Sequence, residues 1–270
     1  MIGLHWKLPN APLRTSVART LLFGPLAVLA LAAAARVGLN LSESYPLKAA
    51  APFAVVMVMA TGFVREHHPF DRFGPGNTMT TVRAALMALV ASLIGESAAP
   101  IVAAAAVIAT LVVSALDGLD GWLARRTRMV SDFGARFDME TDALLVMALA
   151  ILAWQHGKAG VWVILCGLMR YLFVAAGWLW PWLRGTLPPS KRRQTICVVQ
   201  VVGLALTIVP AITPPLSSLL AGITLSTLGY SFLVDVVWLR SQPDTRAENL
   251  ERIAKSDGVQ AFRPARRGGP

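Results

Sequence analysis

Residues 117–142 read DGLDGWLARRTRMVSDFGARFDMETD, and four of their aspartates, Asp117, Asp120, Asp138 and Asp142, stand at helical spacing. The first two are three residues apart and the last two are four apart, so on helices the members of each pair face the same way. Carboxylates beside apolar helices repel one another and resist removal from water. The cluster therefore requires a compensating cation, and a divalent metal is the natural candidate.

The rest of the chain has the composition of a membrane protein. Of its 270 residues, 55% are hydrophobic and only 15% are charged, and the mean hydropathy is +0.58. A soluble domain of this length could hardly bury so much apolar surface, so we predict an all-α polytopic membrane protein. Cys166 and Cys197 both fall in apolar stretches, which favours core positions over a disulfide or a metal site.

Eight apolar segments are long enough to cross a bilayer. They lie near 20–39, 46–64, 78–96, 99–117, 138–156, 160–182, 194–212 and 216–239. A rival interpretation treats the first segment as a signal peptide, since the small residues at 32–35 follow its apolar run. The run continues past these alanines, which favours a membrane-spanning helix.

The positions of the basic residues predict the orientation. The formal net charge is +10. With the N-terminus in the cytoplasm, only Arg36, Lys48 and Lys158 fall on the outer side, as the positive-inside rule requires. We therefore expect both termini and the aspartates on the cytoplasmic side of a bacterial inner membrane. The basic tail 241–270 is expected to be mobile near anionic headgroups, and no aromatic-basic pattern indicates a nucleic-acid partner.

The aspartates belong to a longer pattern, D-x2-D-G-x2-A-R-x8-G-x3-D-x3-D. Besides the four acids, its fixed positions are Gly121, Ala124, Arg125 and Gly134. Carboxylates suit Mg²⁺ or Mn²⁺, and four of them suit two ions, which together can neutralise a pyrophosphate. The two glycines allow close backbone approach to a nucleotide, and Arg125 offers a planar donor fork for phosphate.

This pattern resembles the signature of the CDP-alcohol phosphotransferases (the CDP-alcohol phosphatidyltransferase family). The resemblance implies a six-helix catalytic core at residues 70–240, preceded by a leader and two additional transmembrane helices at 1–69 and followed by the tail at 241–270. It implies that Asp117, Asp120 and Asp138 bind two divalent cations, and that Asp142 is both a metal ligand and the general base.

The resemblance also implies the residues that contact the CDP donor. An upstream N-x-x-T-x-x-R element is similar to one in the family. Asn77, which also has the character of a helix N-cap, begins this element, and Arg83 ends it, within reach of phosphate. The donor contacts expected from both elements are Asn77, Thr78, Thr80, Arg83, Gly121, Arg125, Ser131 and Gly134.

The acceptor side rests on fewer residues. Arg170 lies inside an apolar span, where a cation needs an acidic partner or lines a cavity. Lys191, Arg192 and Arg193 begin a basic stretch similar to the K-T…Q stretch of phosphatidylglycerophosphate synthases. The Arg-Glu pair of that subgroup is not evident, because Arg170 is followed by a tyrosine. These four cations are the expected acceptor contacts, whereas Asp235 is expected to pair with Arg240.

The implied reaction transfers a phosphatidyl group from CDP-diacylglycerol to an alcohol in phospholipid synthesis and releases CMP. Glycerol 3-phosphate is the leading acceptor; inositol phosphate, another phospholipid and other polyols stay open, as does a homodimer. A variant would transfer a phosphoalcohol from a soluble CDP-alcohol to a lipid. Two other classes are a cation transporter, which should hold acids near the bilayer midplane in repeated helices, and a non-catalytic lipid-binding protein, which should lack an aspartate of the motif.

Overall fold

The computed structural model describes residues 11–67 and 69–242. Within these residues it contains eight α-helices, two short 3-10 helices and no strand, which confirms the predicted all-helical class. The helices are α1 Ala11–Leu39, α2 Tyr45–His67, α3 Pro75–Ala91, α4 Pro100–Arg126, α5 Asp132–Gln155, α6 Leu165–Leu179, α7 Lys191–Ile208 and α8 Leu216–Ser241. The leader before residue 11 and the basic tail after residue 242 lie outside the described residues.

Four stretches of the described chain are long and apolar enough to cross a membrane. They are Leu22–Leu39, Pro100–Arg126, Val161–Leu179 and Leu216–Ser241. The other predicted spans also form helices, but α3 has only 17 residues and α5 and α7 carry charged residues in their first turns. The apolar helix α4 nevertheless carries Asp117 and Asp120 near its C-terminal end, so charged residues of the site lie on helices of both kinds.

The helices of the core pack around α5. Helix α3 packs on α4 and α5, α7 contacts the same two helices, and α8 packs against α7. Small and aliphatic side chains fill the contacts, among them Ala84, Ala88, Val113 and Leu149, all fully or almost fully buried. Close packing of this kind gives each helix a defined position in its neighbourhood. Four helices, α3, α4, α5 and α7, therefore converge on one region of the bundle.

The N-terminal pair α1–α2 is fastened to the core at the loop that follows α3. The Glu96 carboxylate accepts hydrogen bonds from the Ser42 backbone N–H at 2.8 Å and the Ser42 hydroxyl at 2.6 Å. It also binds the Lys48 ammonium at 2.6 Å, although its side chain is only 4% exposed. The Tyr45 hydroxyl donates to the Leu89 carbonyl at 2.9 Å. We call these contacts the Glu96 junction. The buried charge of the Glu96 carboxylate is compensated by the Lys48 ammonium and by the hydrogen bonds from Ser42.

Candidate active site

The four aspartates of the motif come together at the end of the bundle opposite the Glu96 junction. Asp117 and Asp120 lie near the C-terminal end of α4, and Asp138 and Asp142 lie in the first half of α5. The turn between these helices brings the two pairs to the same level. The prediction that two adjacent helices present two carboxylates each is confirmed.

Arg83 of α3 lies at the centre of these carboxylates. Its Nη1 donates to Asp120 and Asp138, and its Nη2 donates to Asp142. The same Nη2 lies 2.7 Å from Oδ1 of Asp117. One guanidinium thus contacts all four acids and joins α4 to α5. Sequence reasoning assigned this arginine to donor phosphate and missed its contact with the aspartates.

Exposure differs strongly within this group. The side chains are exposed by 1% in Arg83, 7% in Asp120, 20% in Asp142, 37% in Asp138 and 40% in Asp117. Asp120 additionally accepts a hydrogen bond from the Thr80 hydroxyl at 3.1 Å. This buried carboxylate thus has a second donor besides Arg83. The site therefore has a buried inner side formed by α3 and Asp120 and an accessible outer side formed by Asp117 and Asp138.

Three of the acids have the geometry of a cation site. Among the described residues, Asp117, Asp120 and Asp138 each offer a carboxylate oxygen, and these oxygens all lie within 4.8 Å of one another. Asp142 does not belong to this group. Carboxylate oxygens are the ligands that Mg²⁺ and Mn²⁺ prefer, and a site that already holds a buried cation is suited to positive charge. The residues present fit a divalent cation.

Asp142 instead lies between Arg83 and a cavity. This cavity has a volume of about 440 Å³ and is lined mainly by residues of α5, α6, α7 and α8. Most of its lining is apolar, and the polar side chains that reach it are Asp142, Arg170, Arg193, Cys197, Gln200, Ser231 and Asp235. The Cys197 thiol lies 3.7 Å from Oδ2 of Asp142. A molecule in the cavity therefore has direct access to this one carboxylate of the motif.

The start of α5 explains one fixed position of the motif, Gly134, and the role of Ser131 just before it. Helix α5 begins at Asp132, so the prediction of a start near residue 138 is wrong by about two turns. The reason is Ser131, whose hydroxyl accepts a hydrogen bond from the Gly134 N–H at 3.1 Å and caps the helix. A Cβ on Gly134 would lie 2.7 Å from Oδ1 of Asn77, so only glycine permits this close approach of α5 to α3.

Asn77 has a different role from the one expected. The sequence predicts it as the cap of α3, but α3 begins two residues earlier, with Gly74 as the N-cap and Pro75 at the first helical position. Asn77 is buried, and its side-chain amide donates to the Phe73 carbonyl at 2.6 Å. This bond fixes the amide against Gly134.

The remaining residues expected to contact the donor lie at the exposed rim. Arg125 is exposed, and a Cβ on Gly121 would meet only the flexible end of Arg125, at 3.2 Å from its Nη1. Thr78 is exposed, and its hydroxyl donates to the Gly74 carbonyl at 2.9 Å. The structure thus brings Arg125 and Gly121 together on the last turns of α4, beside the aspartates.

The four expected acceptor residues are divided by the structure. Arg170 and Arg193 line the cavity, whereas Lys191 and Arg192 are not among its lining residues. Arg170 pairs with Glu140, which lies between Asp138 and Asp142 on α5. Sequence reasoning missed Glu140, although an arginine inside an apolar span signals that an acid of a neighbouring helix must face it.

Asp235 of α8 is expected from the sequence to pair with Arg240, and this prediction is wrong. Asp235 is buried and binds Arg192, while Nη1 of Arg193 lies 3.2 Å from its Oδ1. Arg192 also donates to the Ser231 carbonyl at 2.6 Å and to its hydroxyl at 2.8 Å. Arg192 therefore ties α7 to α8, and its partners lie about forty residues away in sequence.

The prediction of core positions for the two cysteines is confirmed for Cys166 and wrong for Cys197. Cys166 is buried in the core, and Cys197 is half-buried beside Asp142.

Part of the chain is similar in sequence to known proteins. A family model described as CDP-alcohol phosphatidyltransferase matches residues 75–233, from the first residue of α3 into α8. The CDP-diacylglycerol–glycerol-3-phosphate 3-phosphatidyltransferase of Bacillus subtilis (strain 168) is 31% identical over 77 residues, which are 28% of this chain and 40% of that relative. The chain thus spans less than half the length of the curated relative that it matches. No solved structure matches the chain. Since the family model covers more than half of the chain and includes every residue of the motif, the chain belongs to the CDP-alcohol phosphatidyltransferase family.

Proposed function

We propose that the protein transfers the phosphatidyl group of CDP-diacylglycerol to an alcohol and releases CMP. The observation that carries the proposal is the convergence of all four motif carboxylates at one end of the bundle, with Asp142 facing an adjacent cavity. The name of the Bacillus subtilis relative supports this donor and makes glycerol 3-phosphate the first acceptor to test.

Divalent cations complete the proposed site. Asp117, Asp120 and Asp138 would hold Mg²⁺ or Mn²⁺, since their oxygens already lie within 4.8 Å of one another. We also propose a second ion, with Asp142 as a further ligand, because the motif resembles the family signature. When bound, the cations neutralise pyrophosphate oxygens and the charge that develops on the leaving CMP.

The rim of the site is suited to the CDP part of the donor. Arg125 is exposed beside Gly121, so its guanidinium is free to form a paired hydrogen bond with phosphate oxygens. Asn77, Gly134 and Ser131 lie where α5 meets α3. We propose that the nucleotide binds near Arg125 and this helix contact, directly outside Asp117 and Asp138. Its diacylglycerol part would then extend toward the lipid along the helices.

Asp142 is the proposed general base. It is the motif carboxylate that lines the cavity, so a hydroxyl held there can reach it. The acceptor hydroxyl gives its proton to the Asp142 carboxylate while its oxygen bonds to the phosphorus next to diacylglycerol. The bond between that phosphorus and the CMP oxygen breaks, and CMP leaves. Holding both substrates in this geometry accounts for most of the expected rate enhancement, because phosphoryl transfer depends mainly on position and charge.

The cavity beside Asp142 is the proposed acceptor site. Its volume of about 440 Å³ is ample for a small polyol phosphate. Arg170 and Arg193 supply positive charge on its wall, although each is paired with an acid in this structure. A phosphorylated acceptor would therefore share these arginines with Glu140 and Asp235 and add hydrogen bonds to both guanidinium groups.

We propose that the aspartate end faces the cytoplasm. Arg125, Arg126, Arg128 and Arg136 all lie at this end, while Lys48 and Lys158 lie at the other. The positive-inside rule then places the site where a soluble acceptor and the CMP product are available.

A panel of substrates tests the proposal directly. Purified full-length protein is offered CDP-diacylglycerol with glycerol 3-phosphate, inositol phosphate, glycerol or a phospholipid, and CMP release is followed. We expect release only with an alcohol present, and fastest with glycerol 3-phosphate. A parallel arm offers a soluble CDP-alcohol with diacylglycerol. Turnover in that arm alone would replace the proposal with phosphoalcohol transfer, and no turnover with any pair would refute catalysis in this class.

Loss of a cavity arginine is expected to weaken the acceptor specifically. Arg193→Gln should raise the KM for glycerol 3-phosphate by about tenfold or more, because a hydrogen bond to a charged group contributes about 1.5–3 kcal/mol. The KM for CDP-diacylglycerol should change little. Arg136→Gln removes one charge from the same end of the bundle at an exposed position away from the cavity and serves as the matched control. An unchanged acceptor KM in Arg193→Gln would remove this arginine from the acceptor site.

A further inference from the structure

We infer that Arg83 is a displaceable internal counter-cation, which holds the four aspartates in the metal-free protein and withdraws from part of them when a divalent cation binds. The inference rests on the proposed metal dependence of the site. It makes Arg83 a positioning residue that sets the affinity for the metal, in place of the direct phosphate contact expected from sequence.

The charges around Arg83 are unequal. A single guanidinium contacts four carboxylates, so the group keeps an excess of negative charge. The excess is partly buried, where unbalanced charge is costly. The arginine is therefore sufficient to hold the acids together and insufficient to neutralise them. A divalent cation adds the charge that is missing and can occupy the oxygens of Asp117, Asp120 and Asp138.

The hydrogen bonding of Arg83 is also incomplete. Its side chain is 1% exposed, and its Nε is buried and has no hydrogen-bond partner. A guanidinium has donors on all three nitrogens, and an unsatisfied buried donor destabilises the arrangement that contains it. In the position seen here the arginine therefore does not satisfy all of its donors. A shift that frees the carboxylates and pairs Nε would remove this penalty.

A small cavity lies where the guanidinium would move. It has a volume of about 60 Å³ and is lined by Arg83 and by residues of α4, α5 and α7, among them Asp117 and Asp142. Ser114 also lines it, and the Ser114 hydroxyl donates to the Thr110 carbonyl at 2.9 Å. The oxygen of that hydroxyl keeps lone pairs that can accept a hydrogen bond from an arginine. Arg83 therefore has both space and an acceptor next to its present position.

The exchange would preserve the connection between the two helices that carry the motif. Each terminal nitrogen of Arg83 now bridges one aspartate of α4 and one of α5. A cation held by Asp117, Asp120 and Asp138 would bridge the same two helices. The metal-free protein thus keeps its site assembled. Because the metal must displace Arg83 from part of the aspartates, its apparent affinity is weaker.

Binding of Mn²⁺ to the full-length protein in detergent, followed by electron paramagnetic resonance without substrate, tests the inference. Arg83→Gln should bind Mn²⁺ more tightly than the wild type by about tenfold or more, since it removes the competing charged hydrogen bonds. Without metal, the melting temperature of Arg83→Gln should be lower than that of the wild type. Adding Mn²⁺ should raise the melting temperature of Arg83→Gln by more than that of the wild type. An unchanged or weaker affinity in Arg83→Gln would overturn the inference.

A second pair of variants leaves the aspartates and Arg83 untouched. Ser114→Leu fills the small cavity and should weaken Mn²⁺ binding, whereas Ser114→Ala keeps the space and should bind more tightly than Ser114→Leu. Equal affinities in these two variants would overturn the proposed movement, even if Arg83→Gln failed to fold. Absence of Mn²⁺ binding in the wild type would instead refute the proposed metal dependence, so the two failures are distinguishable.

Discussion

Replacing Asp142 with asparagine is expected to reduce CMP release by about 10²–10⁴-fold, the usual contribution of a general base, while the Mn²⁺ held by Asp117, Asp120 and Asp138 stays bound. Loss of activity without loss of Mn²⁺ is expected because of the positions of the four aspartates. Asp117, Asp120 and Asp138 form the group of oxygens within 4.8 Å of one another, and Asp142 lies outside it against the cavity. Asparagine keeps the size of the side chain but cannot accept the proton of the acceptor.

Three measurements make this result specific. CMP release reports activity, Mn²⁺ titration reports the metal, and thermal unfolding reports the fold. Asp120→Asn should lose Mn²⁺ affinity as well as activity. Asp132→Asn, an exposed acid ten residues earlier on the same helix and outside the motif, should retain both. Near-wild-type turnover in Asp142→Asn would contradict the base assignment, and loss of Mn²⁺ in that variant would make Asp142 an indispensable metal ligand.

Removing divalent cations is the second change expected to have a large effect. Dialysis against EDTA should stop turnover, and Mg²⁺ or Mn²⁺ should restore it. Without the cations, the pyrophosphate would face several carboxylates and a single guanidinium that is already shared among them, so the donor would be repelled. CMP release before and after the addition of metal measures the effect.

The control for chelation is EDTA saturated with Mg²⁺ beforehand, which should leave the rate unchanged. Thermal unfolding in EDTA should show a folded protein, because Arg83 still joins the aspartates of α4 and α5. Turnover that persists after exhaustive dialysis against the chelator would exclude a metal-dependent mechanism.

Local patterns in the sequence predict the aspartate site well. Spacings of three and four residues place side chains on one helix face, so the amino-acid sequence alone assigns Asp117 with Asp120 and Asp138 with Asp142 to two helices. The short connection between them, residues 127–131, keeps the two pairs at the same end of the bundle. The family resemblance of the same residues agrees with the family match over residues 75–233.

Contacts between distant helices could not be predicted in this way. Arg83 is 34 to 59 residues from the aspartates that it binds, and nothing in its local pattern distinguishes a phosphate ligand from a carboxylate ligand. Arg192 and Asp235 are separated by 43 residues, so the nearer Arg240 is the more obvious partner. Helix starts are misplaced for a local reason: the caps are Gly74 and Ser131, and neither belongs to the apolar pattern that defines the spans.

The Glu96 junction has a consequence for how the N-terminal pair finds its place. In lipid there is no hydrophobic force between helices, so van der Waals packing and polar contacts decide how one helix lies against another. A carboxylate that must meet the backbone and hydroxyl of Ser42 together with the Lys48 ammonium accepts only one axial register of α1–α2. The Glu96 junction therefore adds polar contacts of defined geometry to the apolar packing, and it sets the axial position of α1–α2 relative to α3.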